Sequence, residues 1–405
     1  MYYYERHAVI EKNADKNTTK NVVWLGITSF LNDLSSEMIL PILPLLIAQV
    51  GGTGIAIGLV GGLRDSAAEV LKALFGHWSD RIGKRKIFIY VGYLISAFFK
   101  FFLLLAHSWQ LIFLLVGLER IGKAIRTAPR NALITQSVPL NIGWGFGFHQ
   151  ALDSLGALFG ALTTFFLVWK LNLDFNIIIL IAALICFTTI LPLNKVTEAP
   201  TRTNNQATPF NVSSLSKSFK IFTLIASVFS LAHVSYMFLI VQAQNILPQT
   251  NAVVLSLFLY SLFNFVYSLL ATPFGKLSDI IGRRKMVVLG YFVFALTMFN
   301  FFVATNIHLL VFGFMLYGIA LAIIQVSHRA YAADLSPTDL KATGLGIFEA
   351  VTGLVTFIAG ILAGVVWQFT QPTFVFGYAG ALACIAGLLL AIFNPSIDQK
   401  QSRPL

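Results

Sequence analysis

The chain is 405 residues long, 57% hydrophobic and only 11% charged, against about 25% charged residues in an average soluble domain. No water-soluble fold can hide that much apolar surface, so a soluble enzyme is excluded and lipid is the expected solvent. The net charge of +11 does not imply nucleic acid, because the basic residues cluster in short loops between apolar runs, as membrane topology requires.

A helix of roughly 20 apolar residues crosses a bilayer. Twelve spans are expected, near residues 22–50, 54–75, 86–106, 109–137, 144–169, 173–193, 218–247, 251–274, 286–305, 308–335, 340–368 and 371–393. The expected division is a tail at 1–21, a six-helix bundle at 22–193, a polar linker at 194–217, a second bundle at 218–393 and a tail at 394–405. The first span is too long for a cleaved signal peptide, and it carries Asp33 and Glu37, where such a segment is purely apolar. Arg6, Lys12, Lys16 and Lys20 precede it, and Arg81, Lys84, Arg85 and Lys86 follow span two. Lys195, Arg202, Lys217 and Lys220 flank or lie in the linker, and Lys276, Arg283, Arg284 and Lys285 follow span eight. All of these fall on one side of a twelve-span chain, so both termini are expected in the cytoplasm. Cys186 and Cys384 lie in separate apolar runs and make neither a disulfide framework nor a metal site.

Charges inside a bilayer cost about 2.5–3.5 kcal/mol each on insertion scales and normally face a cavity or a partner. In span one, Asn32, Asp33 and Glu37 share a helical face with Ser29 and Ser36. Two close carboxylates cannot both ionise cheaply, which suits a proton carrier; the alternative is a structural salt bridge to Arg64 or Arg120. Span two holds Arg64, Asp65, Glu69 and Lys72, whose spacing fits a mutual charge network. Span four places Glu119, Arg120, Lys123, Arg126, Thr127, Arg130 and Asn131 within an arc of about 140°. Arg126 and Arg130 are near enough to the cytoplasmic end to snorkel, whereas Arg120 is not. Span five has His149 and Asp153 four residues apart, span seven has His233 near Tyr236, and span ten has Gln325, His328 and Arg329. Glu349 is the lone carboxylate of span eleven, and an isolated intramembrane acid is most cheaply held neutral.

The two halves repeat. Gly76, Asp80, Gly83, Arg85 and Lys86 recur as Gly275, Asp279, Gly282, Arg284 and Lys285, a shift of 199 residues. The same shift takes Arg130 to Arg329 and Gln150 to Glu349. Parallel repeats of this kind place a binding site between two bundles. The loop after span two, with Gly76, Asp80, Arg81, Gly83, Lys84 and Arg85, resembles the G-x-x-x-D-R-x-G-R/K-R/K motif of the major facilitator superfamily, and the resemblance runs over essentially the whole chain. The second copy departs from it at Ile280, where the motif has Arg. Both copies are expected to act in gating, through Gly76, Asp80, Arg81, Gly83, Arg85, Gly275, Asp279, Gly282 and Arg284.

The resemblance implies that spans one, four, seven and ten line a central cavity. A basic cavity wall attracts anions, and Arg grips carboxylate or phosphate bidentately. The expected substrate contacts are therefore Arg120, Lys123, Arg126, Arg130, Arg329, His328, Gln325 and Asn32. The expected proton carriers are Glu349, then Asp33 and Glu37, with Asp153. No G-x-x-x-x-G-K-[ST] nucleotide motif is present, so an ion gradient is the expected energy source, without cofactors and with protons as partner. Spans one and four also resemble bacterial inner-membrane permeases, including importers of carboxylate siderophores. Together these imply proton-coupled transport of a small organic anion by a monomer in a bacterial inner membrane. The alternative is a proton-driven multidrug exporter, but the Gly-Pro pattern of span five in those antiporters is absent: Gly156-Ala-Leu-Phe-Gly160 is followed by Ala161.

Overall fold

The structure is a computed structural model that describes residues 2–139, 141–198, 215–337, 341–393 and 395, with no side-chain description for residues 2–19 and 342. Residues 199–214 of the expected linker and almost all of the expected C-terminal tail lie outside the described residues.

The first bundle consists of α1 (Tyr2–Ile39), α2 (Leu43–Gln49), α3 (Gly54–Ile82), α4 (Arg85–Phe102), α5 (Trp109–Ser137), α6 (Ile142–Leu171), α7 (Phe175–Thr188) and α8 (Ile190–Asn194). The second consists of α9 (Lys217–Leu231), α10 (Tyr236–Ile246), α11 (Ala252–Ile281), α12 (Arg283–Val303), α13 (Ile307–Leu335), α14 (Lys341–Phe369) and α15 (Phe374–Ile392). Paired as α1–α2, α7–α8 and α9–α10, these helices make twelve spans. The first break falls at Pro41, whose ring removes a backbone donor and cannot continue the helix. The second span of each half ends at the repeated motif glycine. The Gly83 N–H bonds the Ser79 carbonyl at 2.9 Å and the Gly282 N–H bonds the Ser278 carbonyl at 3.1 Å. Both glycines have positive φ, 70° and 101°, where a side chain would be strained.

Ten helices among the described residues are long and apolar enough to cross a membrane. The remaining two spans, α3 and α5, are each 29 residues long, about 43 Å at 1.5 Å per residue. They are long enough but interrupted by the charged residues that single them out in the sequence. Large apolar side chains such as Phe98, Phe166 and Leu224 stay exposed on the outer faces, the surfaces that lipid covers.

Glycines set the join between bundles. A methyl group at Gly360 would lie 2.6 Å from the Gly58 carbonyl oxygen and from Gly62 Cα, and one at Gly364 would lie 2.7 Å from the Gly54 carbonyl oxygen. Small residues let backbones approach this closely where lipid offers no hydrophobic drive. Beside this seam the Tyr236 hydroxyl donates to the Leu40 carbonyl at 3.1 Å. The bundles are thus in contact at the end opposite the linker.

Candidate functional site

The main polar cavity is built on the inner face of the first bundle. α1 supplies Asn32, Asp33, Ser36, Glu37 and Leu40, α3 supplies Arg64, and α5 supplies Glu119, Arg120, Lys123 and Arg126. The non-atom space it encloses is about 320 Å³ with open solvent included. The second bundle closes it with hydroxyl and imidazole groups. The Tyr260 hydroxyl donates to Glu37 Oε2 at 2.7 Å, His233 Nε2 lies 3.2 Å from Asp65 Oδ2, and the Arg64 guanidinium stacks 4.8 Å from the Tyr236 ring centre.

The cavity cations differ in how far they are satisfied. Arg64 Nη1 bonds Asp65 at 2.5 Å. Arg126 Nη1 bonds Ser96 Oγ at 2.5 Å, with its guanidinium over Tyr93 at 4.6 Å. Arg120 Nε lies 2.8 Å from Glu119 Oε2 but is misaligned with it, and that nitrogen has no hydrogen-bond partner. Distance alone therefore overstates the Arg120–Glu119 pair, since a hydrogen bond weakens steeply off axis. Lys123 lines the cavity without an ion-pair partner among the described residues. Asn32 donates to Asp33 at 2.9 Å. Neither Asp33 nor Glu37 forms an ion pair among the described residues, so the structural salt bridge to Arg64 or Arg120 does not form here.

Arg130 is close by, donating to Ser29 at 2.9 Å, and Arg126 is 2% exposed; both turn inward instead of snorkelling. Asp153 sits 3.5 Å from His149 Nδ1 on its own helix.

Besides Arg130, which is outside the cavity lining, three expected substrate contacts are not at the cavity. His328 bonds the Tyr291 hydroxyl at 2.8 Å inside an aromatic cluster with Phe222, Phe229 and Phe348. Gln325 accepts from Tyr267 at 3.0 Å. Arg329 was expected to face the basic wall of span four; it turns instead to carboxylates, with Nε 3.0 Å from Glu349 and Nη2 3.5 Å from Glu69. Glu349 also pairs with Lys72, which bonds Glu69 at 2.5 Å. The expectation that Glu349 is isolated is thereby corrected. It is alone on its helix but belongs to a cluster of two carboxylates and two cations joining α3, α13 and α14. The mutual network expected in span two is divided: Glu69 and Lys72 belong to this cluster, while Asp65 pairs with Arg64 and His233.

The gating motifs do not bridge the bundles through the pairs found here. Asp80 pairs with Arg85 at 2.9 Å within its own motif. Asp279 lies 3.4 Å from Arg283, which reaches Asp334 at 2.9 Å. Arg284 donates to the Leu390 and Ala391 carbonyls at 3.0 and 2.6 Å. A methyl at Gly76 would meet Ala128 of the same bundle at 3.0 Å, and one at Gly275 would meet Val326 at 3.3 Å. Arg81 is exposed at the end of α3.

Sequence reasoning passed over Lys100. It is 3% exposed and donates to Ser36 at 2.9 Å and Ser35 at 3.1 Å. The available signal was a single ammonium in an apolar span, which is expensive unless it has a function.

Comparison with known proteins agrees with this fold. The Major Facilitator Superfamily profile matches residues 25–258 and 248–405. An uncharacterized MFS-type transporter of Methanocaldococcus jannaschii is 44% identical over 392 residues, covering 94% of this chain and 98% of the relative. The multidrug resistance protein MdtG of Citrobacter koseri is 34% identical over 157 residues, 37% of each chain. The crystal structure of the nucleoside transporter NupG superposes with a TM-score of 0.77 at 16% identity, covering 92% of this chain and 98% of that one; at that identity it speaks to fold alone.

Proposed function

Because the chain belongs to the Major Facilitator Superfamily, and so is a membrane transporter working by alternating access, we propose that it carries a small organic anion together with a proton. The observation that carries this reading is the charge balance of the cavity. With Arg64 neutralised by Asp65, Arg120, Lys123 and Arg126 face Asp33, Glu37 and Glu119 there, three cations against three carboxylates. When Asp33 and Glu37 are protonated the balance becomes three against one, and an anion is strongly attracted. When they release their protons to water, the attraction weakens and the anion leaves. Proton and anion therefore bind together, the requirement for symport. Lys123 and Arg120 are the primary anion contacts, because Lys123 has no ion-pair partner among the described residues and Arg120 Nε has no hydrogen-bond partner. Asp33 and Glu37 are the proton carriers, and Glu349 becomes a bundle-crossing contact.

The small cavity favours a simple carboxylate or phosphate ester over a bulky siderophore. Clustering of Lys and Arg in the linker-side loops supports cytoplasmic termini, as expected for a carrier of the cell's inner membrane.

Reconstituted vesicles carrying a trapped pH-sensitive dye test the reading. External dicarboxylates or phosphate esters, which do not cross lipid unaided, are expected to acidify the lumen faster than in protein-free vesicles. Equal rates for every anion, with lipophilic cations dissipating an imposed pH gradient instead, would replace it with proton-driven drug export. That alternative is favoured by the partial likeness to MdtG.

A further inference from the structure

The polar cavity continues into a second, narrow chamber, with which it shares Ser36, Leu40, Arg64, Glu119 and Arg120. This chamber is sharply two-faced. One wall is apolar, formed by Ile39, Leu43, Leu103 and Val116 in addition to Leu40. Its charged rim carries three cations, Arg64, Lys100 and Arg120, and a single carboxylate, Glu119.

Arg64 is paired with Asp65, but Lys100 and Arg120 are incompletely satisfied. The Lys100 ammonium is held by Ser35, Ser36 and the Asn32 carbonyl, with Cys186 Sγ at 3.5 Å. No carboxylate among the described residues pairs with it. The C-terminal end of α4 offers it only about half a unit of negative charge. Arg120 is 7% exposed, and its Nε lacks a hydrogen-bond partner. A buried charge left without a counter-ion is costly, and Lys100 has only neutral partners, so an entering anion completes the site. An apolar wall next to that charge has no use for a small, fully hydrated anion, which gains nothing from it.

We propose that the substrate is an amphiphilic carboxylate, with its head between Arg120, Lys123 and Lys100 and an apolar tail against Leu43, Leu103 and Val116. This rests on the anion reading above and narrows it to a class: acids with a short alkyl or aryl tail. Burial of each added methylene is worth roughly a threefold to fourfold gain in affinity, which gives the class a measurable signature.

The test uses the full chain in lipid nanodiscs at pH 6, titrated with straight-chain carboxylates from acetate to octanoate, with empty nanodiscs to subtract partitioning into lipid. The expected result is a stepwise gain of roughly threefold per methylene until the chamber is filled. Leu103→Trp is expected to flatten the series by occupying the tail space, lowering the octanoate-to-acetate affinity ratio at least tenfold. Should that variant fail to fold, the wild-type series still decides. Carboxylate binding that is saturable but independent of chain length would overturn the amphiphile proposal and leave the anion reading standing. No saturable binding of any carboxylate, alongside saturable binding of a lipophilic cation, would overturn both.

Discussion

The Tyr260 hydroxyl of the second bundle donates to the Glu37 carboxylate of the first at 2.7 Å, across the cavity that both help to close. A carrier that couples protonation to substrate needs such a link, because the group that titrates must also feel whether the bundles are together. Tyr260 can donate to Glu37 whether or not that carboxylate holds a proton, but the bond is stronger to the ionised form.

Glu37→Gln imitates the protonated carboxylate and removes one negative charge from the cavity. Anion affinity at pH 8 is expected to rise part of the way to the wild-type value at pH 6, because Asp33 still titrates, and its pH dependence to shrink. Binding titrations at the two pH values check this, and a fall in affinity at pH 8 would count against Glu37 as a carrier.

The cluster of Glu69, Lys72, Arg329 and Glu349 is held to be a structural tie between bundles. Glu349→Gln leaves Lys72 and Arg329 short of a partner and is expected to destabilise the protein by about 1–3 kcal/mol. Glu69→Gln is expected to cost less, because the Glu69 side chain is 31% exposed against 9% for Glu349. Thermal unfolding of the purified protein ranks the two. Loss of pH-coupled transport in Glu349→Gln with unchanged stability would restore Glu349 as a proton carrier.

At the glycine seam, Gly360→Ala forces a methyl against the Gly58 carbonyl and Gly62 Cα. Backbone cannot yield as a flexible side chain does, so overpacking of about 1–3 kcal/mol is expected to push the bundles apart at the end opposite the linker. A Ser235→Cys reporter, with Cys186 and Cys384 replaced by Ser, then reacts several-fold faster with a membrane-impermeant thiol reagent. An unchanged rate would mean that the seam does not seal that end.

The fold was legible in the sequence because it is written twice. The 199-residue shift aligns α3 with α11 and α6 with α14 to within a residue or two, and Gly83 and Gly282 end corresponding helices. The cavity was legible from α1 and α5, where charges sit on one face of an otherwise apolar helix. Sequence periodicity places a residue on a face but does not say which charge lies opposite. Arg329 and Glu349 each read as unpaired on their own helices, yet they pair with each other and with Glu69 and Lys72 on α3, about 260 to 280 positions away in the chain. Lys100 escaped for the converse reason: a single charge has no pattern, and its partners are serines and a carbonyl.

The most direct measurement is calorimetric titration of the nanodisc-embedded protein with a carboxylate at pH 6 and pH 8, in buffers of differing ionisation heat that report proton uptake. The cavity charge balance predicts proton uptake on binding, affinity at least tenfold higher at pH 6, and loss of binding in an Arg120→Ala, Lys123→Ala double variant that still folds. Carboxylate binding with no proton uptake, or equal affinity in the double variant, would contradict it.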